Sequence, residues 1–211
     1  MINNEKRLEP VLALFTKFEL EPTHAQQVKR LSLQLFDCLT NLHGLDNRER
    51  QWLEAAALLH DIGWSQGDKA HHKNSMKLIL KDDFDGWAQE EQRVVANVAR
   101  YHRKSMPSES HKNYAALGVN ERHIVRRLSA LLRIADGLDR SHSSAVEKLQ
   151  CDIKNDQILL DLTCRRDLHL EHYGFEKKRD LFHAVFGLEI VIHEIKNSGM
   201  LNIKFYKTIE N

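Results

Sequence analysis

The sequence predicts a mainly α protein with a small C-terminal α+β annex. From about residue 8 to residue 145 apolar residues return at three- and four-residue steps, and Gly and Pro fall mainly between the segments so defined. After Ser144 the period becomes two: Cys151, Ile153 and then Ile158, Leu160, Leu162 alternate around Lys154-Asn-Asp156. Leu188, Ile190, Ile192 and then Leu201, Ile203, Phe205 do the same around Asn197-Ser-Gly199, a second hairpin signal. These observations divide the chain into a helical body, residues 1–145, and a ββαββ annex, residues 146–211.

Each element has a local reason. Thr23-His-Ala-Gln26 after Pro22 reads as a capping box that opens a helix with the stripe Val28, Leu31, Leu35 and Leu39, closing near Gly44. Further helices are expected over about Asn47–Asp61, His71–Leu80, Ala88–Arg103 and Glu121–Arg140. In the annex, residues 175–186 read as helical. The run Ala55-Ala-Ala-Leu-Leu-His-Asp-Ile-Gly-Trp64 has a core-helix composition that ends in two ionisable residues, with Gly63 expected to cap it.

With Lys+Arg at 31 and Asp+Glu at 30, the formal net charge is +1, so no global field draws the chain to nucleic acid or an anionic membrane. Any affinity for phosphate must be local. The three cysteines Cys38, Cys151 and Cys164 match no zinc-site spacing and fit a reduced cytoplasm. The N-terminal MINNEKRLEP lacks a signal-peptide core, and no apolar run spans a bilayer, so a cytoplasmic, soluble protein is expected.

Thirteen histidines are the compositional oddity. Several fall on apolar stripes: His24 with Val28 and Leu31, His72 with Met76 and Ile79, His102 with Val95 and Val98, and His60 one turn beyond Ala56. Taken singly, each is best read as a hydrogen-bonded core histidine. Together they are hard to bury unless they share a metal or a hydrogen-bond network. In Leu131-Leu-Arg-Ile-Ala-Asp-Gly-Leu-Asp-Arg140, Asp136 falls at the edge of the stripe formed by Leu128, Leu131, Ala135 and Leu138, beside Arg122, Arg126, Arg133 and Arg140. That edge suits a metal ligand next to a phosphate-binding wall, or equally a solvated basic face with Asp136 paired to Arg133 or Arg140. Asp139 projects further into the stripe, so periodicity does not choose between the two aspartates.

His24, His60-Asp61 and the Asp of Arg133-Ile-Ala-Asp136 resemble the H…HD…D signature of the HD superfamily of metal-dependent phosphohydrolases. Ala57-Leu-Leu-His-Asp-Ile-Gly63, His72-Lys-Asn-Ser75, Arg100-Tyr-His-Arg-Lys104 and Leu131–Asp139 are similar to the C-terminal HD-type domain of the exopolyphosphatase/guanosine pentaphosphate phosphohydrolase family. Phe182 to Gly187 is similar to that family's C-terminal annex. The resemblance implies an HD-domain helical bundle and selects Asp136 over Asp139. It implies one metal held by His24, His60, Asp61 and Asp136, and a second by His72 and His102 with Asp61 bridging. Mixed imidazole and carboxylate ligands suit two divalent transition ions, among Mn, Fe, Co, Ni or Zn, with Mg as a further candidate.

The implied chemistry is hydrolysis of a phosphoester or phosphoanhydride by a metal-activated hydroxide. Asp61 is the central catalytic candidate, and Arg103, Lys104, Arg133 and Arg140 are candidates to clamp the phosphate of a small phosphorylated substrate, a nucleotide first among them. The actin-like domains that hydrolyse polyphosphate in that family have no counterpart in the sequence, so exopolyphosphatase chemistry is not expected. Trp64 and Arg103-Lys-Ser105 stand where cyclic-dinucleotide phosphodiesterases of the superfamily carry Lys and Gly-Tyr-Pro, which argues against that substrate. The alternative is a non-catalytic module that senses a nucleotide. No nucleic-acid or membrane partner is expected, and the annex strands could pair a second copy into a homodimer.

Overall fold

The computed structural model describes residues 4–154, 157–164 and 166–196. The body consists of α1 (Asn4–Phe18), α2 (Pro22–Cys38), the short α3 (Thr40–His43), α4 (Asn47–Leu59), a 3-10 turn (Ile62–Gln66), α5 (His71–Lys81), α6 (Gln89–Arg100), the short α7 (Lys112–Ala115) and α8 (Val119–Gly137). The annex consists of β1 (Val146–Lys154), β2 (Gln157–Cys164), α9 (His169–Glu176), α10 (Asp180–Phe186) and β3 (Glu189–Lys196). The fold is therefore mainly helical with a small α+β annex. Among the described residues no helix is long and apolar enough to cross a membrane.

α4 lies at the centre of the body and packs on α1, α2, α6 and α8. The C-terminal turns of α4, enclosed on so many sides, must be apolar all round, and Ala55 to Leu59 are all buried. Their alanines let the neighbouring helices approach closely. The expected stripes face this core: Val28, Leu31 and Leu35 on α2, then Leu128, Leu131 and Ala135 on α8. Burying one such Leu or Val contributes roughly 1.5–3 kcal/mol relative to leaving it exposed.

The caps differ from expectation. α2 starts at Pro22 with Glu21 as N-cap and no side-chain cap bond, so the Thr23 box does not form. Proline's fixed φ sets the first turn instead, one residue earlier. A true capping box opens α4, where Asp46 accepts the Arg48 N–H at 2.8 Å and Glu49 accepts the Asp46 N–H at 3.0 Å.

The sheet has the order β1-β2-β3. β1 and β2 form the expected antiparallel hairpin, with Ile153 opposite Ile158 and Lys154 opposite Gln157. Ile158, Leu160, Leu162 and Cys164 point into the core, as their alternation requires. β3 pairs parallel to β2 after a crossover through α9 and α10, with Ile190 beside Ile158. Leu201 to Phe205, expected as a partner strand, lie outside the described residues. The single helix expected over 175–186 is two, broken at Lys177–Arg179. A register shift between Val146 and Lys148 turns carbonyls toward α2. There Gln27 Nε2 donates to Val146 O at 2.7 Å, and Arg30 Nη1 donates to Glu147 O at 2.6 Å.

Candidate functional site

Five helix ends converge on one point. α4 stops at His60, Asp61 takes φ −111° and ψ 0°, and the 3-10 turn carries the chain away. Ser75 of α5 ties this reversal down by donating to His60 O at 2.7 Å while accepting the Gly63 N–H at 2.9 Å. Gly63 is not the left-handed helix cap expected of it. It is glycine because a Cβ there would lie 2.1 Å from His71 O and 2.4 Å from Ser75 N.

His60 and His102 are set alike. Each Nδ1–H donates at 2.7 Å to the carbonyl three residues back, of Ala57 and Ala99, which leaves each Nε2 facing the centre as an acceptor. His24 is held from behind by Asp139, whose Oδ2 accepts its Nδ1–H at 2.8 Å and whose Oδ1 accepts the Ser144 N–H at 2.8 Å. His142 stacks on the His24 ring at 3.8 Å and pairs with Glu21.

Asp61 stands between two groups. Its Oδ2 lies 3.6 Å from His60 Nε2 and 4.0 Å from His24 Nε2, while its Oδ1 lies 3.2 Å from His71 Nε2 and 3.4 Å from His102 Nε2. Asp136 Oδ1 lies 3.6 Å from His24 Nε2. Two sets thus have the spacing to hold a cation, His24 with His60 and Asp136, and Asp61 with His71 and His102. His24 Nε2, His60 Nε2 and Asp61 Oδ1 are buried without a hydrogen-bond partner, as the donor atoms of a metal site would be.

The second set differs from expectation in one residue: His71, not His72, faces Asp61. His72 is half-buried, its ring edge-on to His71 at 5.9 Å. The stripe of α5 was aligned on Met76 and Ile79, but its first turn has another neighbour. The 3-10 turn presses on the His71 and Ser75 side, so the inward direction there is set by Gly63. Both aspartates also prove to be inward, Asp136 of α8 toward the centre and Asp139, just past the end of α8, behind His24.

The charges suit ligation. Burial and then the Asp61 and Arg103 charges act on His71, for a net fall to about 4; burial holds His102 well below its ordinary value, so both imidazoles are neutral at pH 7. Burial would raise Asp61, but the electrostatic pull of the His60 and His102 rings that face it outweighs this and brings it to about 2. Burial likewise opposes ionisation of Asp136, yet Lys178 and His24 hold it well below the carboxylate range. The exception is His24: burial would depress it, but its bonds to Asp136 and Asp139 outweigh that and raise it to about 10, so at pH 7 the ring is protonated and a cation binding there would have to displace that proton. Lys178, from the break between α9 and α10, ion-pairs with Asp136.

The centre opens into a cavity of about 900 Å³ lined by Asp61, His71, His102 and Asp136 together with Arg103, Lys104, Arg133, Arg140, Lys177 and Lys178. Arg133 is no solvated surface cation. It is buried, with Nη2 at 3.2 Å from Asp180 Oδ1 and donating to Lys104 O at 3.3 Å, while its Nε and Nη1 have no partner. Arg103 Nη1 lies 3.2 Å from His71 Nε2. Sequence reasoning missed Lys177 and Lys178, which sit in a helix break with no periodicity to expose them, and it missed His71, whose only signal was adjacency to His72.

The family model for Ppx/GppA phosphatase, domain III, matches residues 7–181. The chain belongs to this family. Domain III therefore comprises both the helical body and the first part of the annex. Similar curated proteins include the guanosine-5'-triphosphate,3'-diphosphate pyrophosphatases of Pseudoalteromonas atlantica, 26% identical over 139 residues, and Pseudoalteromonas translucida, 27% identical over 139 residues. These alignments cover 64% and 63% of this chain but only 26% of each relative, so the chain spans about a quarter of the length of those proteins.

Proposed function

We propose that this chain is a metal-dependent phosphohydrolase of the HD type, acting on a phosphoester or phosphoanhydride bond of a nucleotide or small phosphorylated metabolite. The observation that carries the reading is the Asp61 carboxylate, one oxygen facing His24 and His60, the other His71 and His102. The relatives' printed names, which describe pyrophosphatases acting on a guanosine polyphosphate, support a phosphorylated nucleotide as the substrate class.

In this proposal His24, His60 and Asp136 hold one divalent transition ion, His71 and His102 hold a second, and Asp61 serves both. Bound there, the ions would supply Lewis acidity that lowers the pKa of water and offsets charge developing on phosphorus. The protein's own groups do the rest. Ala57 O, Ala99 O and Asp139 fix the three imidazoles so that no reorientation is needed on binding. Arg133, with two donor nitrogens unpartnered at the cavity wall, and Arg103, Lys104 and Arg140 beside it, orient the phosphoryl oxygens. We further propose the division at residues 145 and 146, with the annex contributing Lys177 and Lys178 to the wall.

The test is Asp61→Ala. Metal content and Mn²⁺-dependent hydrolysis of generic phosphomonoester and phosphodiester reporters are expected to fall together, and full retention of metal would overturn the two-ion reading. A wild-type protein that binds Mn²⁺ yet cleaves no phosphorylated compound would leave the nucleotide-sensing alternative in its place.

A further inference from the structure

Trp64 has no part in that chemistry, yet it stands two residues beyond Ile62 at the mouth of the site. The chain's other tryptophans are used by the fold. Trp52 is 4% exposed, and Trp87 donates its indole N–H to Arg7 O at 2.7 Å beneath the Arg7 guanidinium. Trp64 is 37% exposed, lines the cavity, and stacks on the His71 ring at 4.1 Å with 27° between planes. Tyr173 of α9, 58% exposed, lines the same cavity. A flat aromatic ring open to a cavity beside a row of cations offers a planar ligand a stacking face next to its phosphate contacts.

We propose that Trp64 is a stacking platform for a planar heteroaromatic base, which makes the substrate a nucleotide whose phosphate end faces Asp61 and Arg133. This rests on the phosphohydrolase reading. The indole has one face committed to His71 and the ring still open to the cavity, so a base can lie against it without displacing any protein contact. A cavity of about 900 Å³ has room for base, ribose and phosphates together. Stacking tolerates any base but favours the larger purine ring, whereas an aliphatic phosphorylated metabolite gains nothing from a flat π surface.

Calorimetric titration of the Mn²⁺-loaded full chain with adenosine 5′-monophosphate, cytidine 5′-monophosphate and ribose 5-phosphate tests this, with metal content measured on every variant. The wild type is expected to bind the three in decreasing order. Trp64→Ala should weaken adenosine monophosphate on the order of 10-fold and leave ribose 5-phosphate unchanged, and Trp64→Phe should recover most of the loss. Equal weakening of nucleotide and ribose 5-phosphate would overturn the platform. So would loss of Mn²⁺ in Trp64→Phe, which would make the ring a support for His71. If ribose 5-phosphate binds but nucleotide affinity ignores Trp64, the platform alone falls. If the wild type binds none of the three, the phosphohydrolase reading falls with it.

Discussion

At the scale of single residues, the site depends on groups that set the direction of other groups. Asp139 never faces the centre, but its Oδ2 accepts the His24 Nδ1–H and its Oδ1 accepts the Ser144 N–H. Asp139→Asn keeps the size and one acceptor while turning an N–H₂ toward the ring, which favours the wrong imidazole tautomer. Mn²⁺ affinity is expected to fall about 10- to 100-fold with little change in melting temperature. Calorimetry on the variant checks this, and unchanged affinity would remove Asp139 from the site. That His24, His60, Asp61, His102 and Asp136 would meet was legible in the sequence through the family resemblance, which chose Asp136 where the apolar stripe alone did not. His71 was not, because a helix's first turn answers to its local neighbour and not to the stripe that follows.

At the scale of elements, turns carry as much information as helices. Between α3 and α4 the His43 ring is buried, with Nε2 donating to Phe36 O at 2.9 Å and Nδ1 accepting the Leu45 N–H at 3.0 Å. The bond from Leu45 requires the neutral ring, since a protonated Nδ1 cannot accept. Burial is the first cause holding its pKa below the ordinary 6.5, ahead of the opposing bond to Phe36 O. The unfolded chain therefore takes up this proton first. Stability from the neutral ring is full above about pH 6.5 and is lost progressively as pH falls below it. Melting temperature should drop between pH 7.5 and 5, and His43→Gln should flatten that slope while lowering stability by about 1 kcal/mol at neutral pH. Parallel pH profiles for the two proteins would refute the role. The spans of α4, α5, α6 and α8 were readable to within a few residues, since their stripes are long, whereas α1 was given no span and the helix expected to run to near Gly44 breaks at Leu39 into α2 and α3. The split between α9 and α10 was not readable, because helices of eight and seven residues repeat their stripe only about twice.

At the scale of the whole molecule, the annex completes the site. Lys178 reaches Asp136 from the break between α9 and α10, at side-chain exposures of 17% and 9%. Without metal that ammonium offsets the carboxylate's charge, and a cation binding between His24 and Asp136 competes with it. Lys178→Met is expected to lower the melting temperature of chelator-treated protein and to tighten Mn²⁺ binding. The stability cost should be smaller than the roughly 3–5 kcal/mol of a wholly buried pair, because His24 remains near Asp136. Unaltered or weaker Mn²⁺ binding would show that the lysine does not compete. The existence of the annex was legible from the change of period after Ser144. Its docking was not, because the carbonyls that meet Gln27 and Arg30 are freed by a bulge, whose one trace in the sequence is the odd spacing of the buried Val146 and Leu149.

α8 and α9 meet backbone to backbone. A Cβ on Gly137 would lie 3.0 Å from Gly174 C and O, and one on Gly174 would lie 2.4 Å from Gly137 O and 2.7 Å from the Arg140 Cβ. Neither position has a positive φ to explain its glycine. The two are far apart in the chain, yet they share one contact, and enlarging either uses up the same space. Genetically they form a single locus: once one carries a side chain the gap is already open, and change at the other should add little further harm.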